Sequence, residues 1–402
     1  MCSLMVRALH CVVRRAVSLS PVSNSSSRRG RLPAILAGAA LFVVSAALAP
    51  TARANDPASG AQLIFLPGTQ SVITANGSIN GSSSVLLPVN PPPVNLTYNA
   101  DGSWDDPESI AIDGSNNVWV VDAALNVLYK IPYSGGAYST PVAIDTGLCS
   151  PFGVAVDGSG NVYVANSNAA QASCAANVVE YVGGVLSGKR TIGVTGDFVS
   201  PNEVAVDGSG NVYVADFGGG FGIGPGNGVW KITNSGTVQI GGANTGPGSN
   251  YPYAVTVDSS GNVYVAVWAA FNTSGIVTQS TVYKLTWNGG NSYTESVVST
   301  DFVATTGIVV DPAGDLYVSD DNTNAPSPPG AVYKLTPSGS TYIKSTVPSI
   351  SLDYPESVAL DDKGNLYILD FSGSDSGPNT TPSGVYKQDY TDPPPPTLSF
   401  GS

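Results

Sequence analysis

Six in-phase copies of one short hairpin constrain this chain more than any other property it has. The clearest copy is Ser200–Asp216, SPNEVAVDGSGNVYVAD: a leading proline, an apolar run from Val204 to Val206, an Asp-Gly-Ser-Gly-Asn turn, and a second apolar run from Val212 to Ala215 ending in Asp. Val and Tyr fit a pleated surface, and Gly, Asn and Asp accept the backbone angles of a reversal, so the stretch reads as a β-hairpin. Related blocks begin at Pro107, Pro151, Pro252, Thr306 and Pro355. Their turn aspartates, Asp113, Asp157, Asp207, Asp258, Asp311 and Asp361, follow one another at spacings of 44, 50, 51, 53 and 50 residues.

A period of about 40–50 residues with strand signals and no helical pattern points to propeller blades. Each unit continues with a third strand: VLYKI at Val127, VVEYV at Val178, VWKI at Val229, VYKL at Val282, VYKL at Val332 and VYK at Val385. A fourth usually follows, such as TVQI at Thr237 or YIKSTV at Tyr342. The expected fold is all-β: a six-bladed β-propeller of four-stranded antiparallel blades. The sixth unit shows no clear fourth strand after Lys387, so an N-terminal piece is expected to supply it and close the ring, either QLIFL at Gln62 or SVLLPV at Ser84.

At these residues the chain resembles the NHL-repeat propellers, whose units carry a similar proline, Val-Ala-Val-Asp, Gly-Asn-Val-Tyr-Val-Ala-Asp pattern. The resemblance covers Asp105–Tyr390 and implies the fold. It leaves function open, because this fold carries binding modules and several unrelated enzymes.

Four regions follow. Residues 1–54 read as an export signal: Arg14, Arg15, Arg28, Arg29 and Arg31 precede an uncharged run from Leu32 to Ala49, and Ala52-Arg53-Ala54 offers a small-x-small site, with cleavage expected after Ala54. An uncleaved anchor is the competing reading of the same run. Ser27-Arg28-Arg29 loosely resembles a twin-arginine signal, which leaves the export route open. Residues 55–104 are a strand-bearing, Pro-rich lead-in, 105–390 the propeller, and 391–402 a Pro-rich tail that reads as a packed end or the start of a further domain. The expected location is exported, whether periplasmic, cell-surface or extracellular, with no membrane span once the signal is removed.

Cleavage changes the chemistry available. The whole chain carries 16 Lys and Arg against 29 Asp and Glu; seven of the basic residues and the only histidine, His10, precede residue 55, so the mature charge is 9 − 29 = −20. No basic patch remains to neutralise phosphates, which argues against nucleic acid. Without histidine, neither a Ser-His-Asp arrangement nor a His-ligated zinc site can form. The streptogramin lyases and amidating lyases therefore resemble this chain in fold only. Two cysteines remain, Cys149 and Cys174, in loops that blade topology brings to one face of blade two. A disulfide is expected between them, since export permits it.

That loop face also gathers the candidate site. One residue after each leading proline, and aligned with them at Thr306 in the block that lacks one, stand Glu108, Phe152, Asn202, Tyr253, Thr306 and Glu356, expected around the mouth of the central channel. Phe152, Tyr253, Trp268, Phe271, Phe217 and Phe221 read as exposed rings beside carboxylates, a platform for sugar or peptide. The expected binding set is Glu108, Phe152, Asn202, Tyr253, Trp268 and Glu356. Glu108, Asn202 and Glu356 would supply oxygen ligands suited to Ca²⁺ or another divalent cation. The gluconolactonase-type propellers look similar here, holding a divalent metal with Glu, Asn and Asp side chains; this chain matches them at Glu108 and Asn202, and has Glu203 where theirs has Gly. The turn aspartates read as backbone-binding turn residues, and the Tyr repeated in second strands as packing between blades.

The function expected from these residues is a binding or interaction scaffold for a protein, peptide or glycan, working through the loop face and requiring no cofactor. The alternatives are a metal-dependent hydrolase of the lactonase type and a structural segment of a larger surface protein.

Overall fold

The computed structural model describes residues 105–167, 175–193, 196–218, 227–241, 251–271, 277–321, 330–347, 352, 354–371 and 384–388, together with four two-residue strands upstream. Five antiparallel sheets of four strands and a sixth of three follow one another along the chain, each pairing its strands in sequence order. The six first strands are Pro107–Ile112, Pro151–Val156, Pro201–Val206, Tyr251–Val257, Thr305–Val310 and Pro355–Leu360. Each packs against the next, and the last packs against the first. The molecule is a six-bladed β-propeller with the first strands innermost.

The second strands are Val118–Asp122, Val162–Asn166, Val212–Asp216, Val263–Phe271, Leu316–Asp320 and Leu366–Asp370. In all but blade four every residue is buried, and in blade four Val263 to Trp268 are. Both faces of a blade are covered by its neighbours, so these strands run largely apolar rather than alternating up to the Asp or Asn that ends five of them. Six core clusters are accordingly each shared by two consecutive blades. One of them joins Val120 and Tyr129 of blade one to Tyr367 and Leu369 of blade six. There the Ile110 N–H also donates to Ser357 Oγ (3.3 Å), and the Tyr138 and Tyr367 hydroxyls lie 3.0 Å apart.

Blade six has three described strands, ending with Gly384–Gln388. Of the two pieces expected to complete it, QLIFL lies outside the described residues, and Leu87–Pro88 of SVLLPV pairs with Thr69–Gln70. Among the described residues nothing pairs with the outer edge of Gly384–Gln388.

The turn aspartates do what their chemistry suggested. Asp207 Oδ1 accepts the N–H groups of Ser209 and Asn211 at 2.9 Å each, while Oδ2 accepts the Asn211 amide at 2.7 Å and the Tyr213 hydroxyl at 3.0 Å. Blades two, four and six repeat the pattern with Tyr163, Tyr264 and Tyr367; in blade one the Trp119 indole N–H replaces the phenol. The lysine that recurs in third strands lies over the same rings, 4.8 Å from Trp119 for Lys130 and 5.4 Å from Tyr213 for Lys231. Its role there is packing with a cation–π component.

Candidate functional site

Every first strand is bulged at the same place. Pairing with the second strand jumps from Pro107 to Ser109, Pro151 to Gly153, Pro201 to Glu203, Pro252 to Ala254, Thr305 to Gly307 and Pro355 to Ser357. The residues left out are Glu108, Phe152, Asn202, Tyr253, Thr306 and Glu356, the six aligned in the sequence. A bulge places one extra residue in a strand and re-aims its side chain. The repeat thus carries six re-aimed residues on the innermost strands.

They are less open than expected. Phe152 is 5% exposed and Asn202, Thr306 and Glu356 are each 4% exposed, whereas Glu108 and Tyr253 are partly exposed. Asn202 Nδ2 donates to the Tyr253 carbonyl at 2.8 Å, and Thr306 Oγ1 lies against the Pro355 carbonyl and Ser319 Oγ. Glu108, Asn202 and Glu356, the expected oxygen ligands, therefore sit at equivalent bulges of blades one, three and six. Among the described residues, no three His, Cys, Asp or Glu side chains group so as to hold a metal ion.

The exposed aromatic platform is corrected in one respect: two of its rings, Phe217 and Trp268, belong to a buried cluster. Phe217, Tyr251 and Trp268 are buried together with Ala304, and Tyr253 packs against them partly exposed. Tyr253 stacks on Trp268 (centroids 4.2 Å apart, planes at 12°), Phe217 meets Trp268 edge-on at 5.7 Å, and the Trp268 indole N–H donates to the Thr305 carbonyl at 2.7 Å. Burial follows from strand length. The second strand of blade four runs for nine residues where the others run for five, so Trp268 pairs with Tyr251 inside the sheet instead of standing in a loop. Phe221 and the Phe271 side chain lie outside the described residues, as does Cys174; Cys149 lies in the expected loop, its N–H donating to Asn166 Oδ1 at 2.6 Å.

The carboxylates that end the second strands are backbone anchors. Asp216 accepts the N–H groups of Val199 (2.9 Å), Ser200 (2.8 Å) and Gly218 (3.0 Å). Asp320 holds Val303 and Ala304, Asp122 holds Asp105, Asp106 and Leu125, and Asp370 holds Tyr354 in the same way. Each binds the segment leading into its own blade. Burial raises the Asp216 carboxyl to about 6 against these three donors, and raises Asp122 as well.

Glu203 is the residue that sequence alignment passed over. The position after the bulge reads Ser109, Gly153, Glu203, Ala254, Gly307 and Ser357: five small residues and one long acid. Glu203 turns back toward blades one and two. Ser109 Oγ donates to its carboxyl at 3.2 Å, and the Val204 N–H donates at 3.0 Å. Ser109 Oγ in turn accepts the Val154 N–H at 3.3 Å. Gly153 makes room, for a Cβ there would stand 2.6 Å from both Glu203 Cα and Oε1. Desolvation pushes the carboxyl up to about 8, opposed only by neutral hydrogen-bond donors. A single acid in an otherwise small-residue column was the sequence signal.

On the opposite face a groove of about 480 Å³ lies between blades four and five, lined by Asp258, Lys284, Asp311 and Tyr342 among others. Among the described residues, no helix is long and apolar enough to cross a membrane.

No protein-family model matches the chain, and no curated protein matches it in sequence. Solved structures do match. A protein of unknown function from Bacteroides thetaiotaomicron is 17% identical, with a TM-score of 0.52 over 74% of each chain. A gluconolactonase from Xanthomonas campestris is 13% identical over 82% of this chain and 98% of its own, with a TM-score of 0.48. A chain of a nidogen/laminin complex is 18% identical over 61% of this chain and 82% of its own, with a TM-score of 0.45. Identities this low speak to the shared β-propeller fold alone.

Proposed function

We propose that the protein is an exported binding module that engages a protein, peptide or glycan through the loop face of its propeller. The observation that carries this reading is the anchored rim. In blades one, three, five and six an aspartate at the end of the second strand grips the backbone leading into the same blade, and six re-aimed side chains stand just beyond. Loops on a rigid scaffold are where recognition concentrates, and holding them in place beforehand lowers the ordering cost of binding. A Cys149–Cys174 disulfide belongs to the same reading and would tie one loop pair further, contributing about 3–4 kcal/mol if its gain is chain entropy.

The test is a thermal melt of the exported protein against glycans, peptides and divalent cations, run beside a lactone hydrolysis assay. A binder shows a midpoint raised by a few degrees with one glycan or peptide, since ligand at a hundred times its Kd adds about 2.7 kcal/mol. Cation-dependent lactone turnover that disappears in Glu108→Ala overturns the proposal in favour of a hydrolase.

A further inference from the structure

The lysine that recurs in third strands is met by a partner in all but one of the copies whose side chains are described. Lys130 stands 3.8 Å from the Asp113 carboxylate and Lys334 2.6 Å from that of Asp315. Lys231, 6% exposed, donates to the Gly290 carbonyl at 3.5 Å and to the Tyr293 hydroxyl at 3.3 Å, both from the outer hairpin of blade four. Lys284 has the Tyr264 ring 5.3 Å away, and among the described residues its ammonium meets no hydrogen-bond acceptor and no carboxylate within ion-pair distance. The next hairpin explains the difference. Blade four reads YKLTWNGGNSY from Tyr283 and blade five reads YKLTPSGSTY from Tyr333, so Trp287 becomes Pro337 and one residue is lost before the tyrosine. The Trp287 ring, 6.0 Å from the Lys231 ammonium, thus has no counterpart over Lys284. In its place lies the groove of about 480 Å³ between blades four and five, where Lys284, Pro337 and Tyr342 share the lining.

The turn of blade five, which lines the same groove, is an exception too. Asp311 Oδ1 accepts the N–H groups of Ala313 (2.8 Å) and Asp315 (2.9 Å), as its counterparts do in their own turns. In the other five turns an asparagine amide meets Oδ2 of the aspartate, but here that asparagine is Asp315, an acceptor already claimed by Lys334. Asp311 therefore lacks the amide donor that the others have. The groove's second aspartate, Asp258, has both oxygens engaged by its own turn and by Tyr264. Val297, 59% exposed, and Pro312 give the groove an apolar wall, and Ser296 and Ser340 add hydroxyls.

We propose that this groove binds a neutral sugar residue, whose hydroxyls accept from the Lys284 ammonium and donate to the Asp311 carboxylate while its C–H edge lies against Val297 and Pro312. The site is on the face opposite the loops, so it goes beyond the binding-module reading and does not depend on it. A hydroxyl both donates and accepts, and a ring of hydroxyls can therefore serve an ammonium and a carboxylate at once. Hydrogen bonds to ionised groups are the strong ones, which lets an uncharged ligand hold here. An anion would meet two carboxylates, an organic cation would meet Lys284, and an apolar ligand would cover both charges without satisfying either. The volume is within the range that small-ligand sites occupy.

The experiment is saturation-transfer NMR of the exported protein with glucose, galactose, mannose, fucose and N-acetylglucosamine in turn, then calorimetric titration of each sugar that binds, with sodium glucuronate as the charged comparison. At least one neutral sugar is expected to bind. Lys284→Met, which keeps the length of the side chain and removes the ammonium, should weaken it about tenfold. Val297→Trp, made at an exposed position, should fill the groove and weaken it by about tenfold or more. Added salt should leave the affinity within about twofold, because the ligand is uncharged. Circular dichroism melts confirm that each variant folds, and the Val297 variant decides the matter if Lys284→Met does not. No binding by any of these sugars, or glucuronate bound about tenfold more tightly than glucose, would overturn the inference. Sugar binding indifferent to both variants also overturns it, while leaving the binding-module reading intact. Groove binding found where no loop-face ligand is found upholds it and removes that reading instead.

Discussion

The two faces of the propeller use the same repeat in opposite ways. On the turn face, six copies present one solution: an aspartate that binds turn N–H groups, seen from Asp113 to Asp361. On the loop face, the bulge position of the same six copies reads Glu, Phe, Asn, Tyr, Thr, Glu. Where backbone geometry dictates the side chain, the copies agree. Where the backbone only re-aims a side chain, they diverge, and that divergence marks the face on which the copies have acquired separate tasks. The anchoring carboxylates at the ends of second strands belong to the first kind although they lie on the second face.

Four measurements sharpen or break this contrast. Asp216→Ala should have the largest effect: it strips three backbone N–H groups of their acceptor, those of Ser200 and Gly218 buried and that of Val199 partly so, and should cost about 3 kcal/mol in denaturant unfolding. A loss below 1 kcal/mol would show that Asp216 is not an anchor of that backbone. Gly153→Ala comes next, because the added methyl meets the backbone and carboxyl of Glu203 in a crowded ring; about 2–3 kcal/mol is expected. In the double variant with Glu203→Ala only the backbone part of that clash remains, so part of the loss should be recovered.

Asp207→Ala should cost about 2 kcal/mol, since its partners are partly exposed and water can replace some bonds. The same substitution at Asp157 and Asp258, whose turns carry the same partners, should give a similar figure, and a wide spread among the three would contradict the idea of one shared solution.

Glu203→Gln is the subtlest. The folded carboxyl keeps its proton to about pH 8, whereas the unfolded one loses it near 4.5. Between those values the folded state binds more protons, so stability falls as pH rises, by up to about 1.4 kcal/mol per pH unit from this group alone. The variant should flatten that slope, with its relative gain growing toward pH 8. A slope unchanged by the substitution would show that the carboxyl is already ionised.

Much of this was legible beforehand, for physical reasons. Blade number, strand order, the turn aspartates and the stacked tyrosines follow from spacing and from what Asp, Gly and branched side chains do locally. Even the bulge position could be aligned, because a proline before it fixes the phase of five of the six first strands. What escaped is tertiary. Trp268 looks like a loop residue until its strand proves nine residues long. Asp216 shows no task in the sequence until the backbone it grips, 16 and 17 residues earlier, is brought back beside it. Glu203 needs blades one and two in place before its solitude among small residues acquires meaning.

The bond between Ile110 and Ser357 spans 247 positions of sequence. Because the first and last blades clasp each other, each described blade has a neighbour on both sides, yet the ring cannot gain that protection until almost everything between has been made. Assembly should therefore be slow and completed late, as expected when distant contacts dominate. Once shut, the circle should come apart as a whole, because loosening any one blade withdraws a wall from two cores at once.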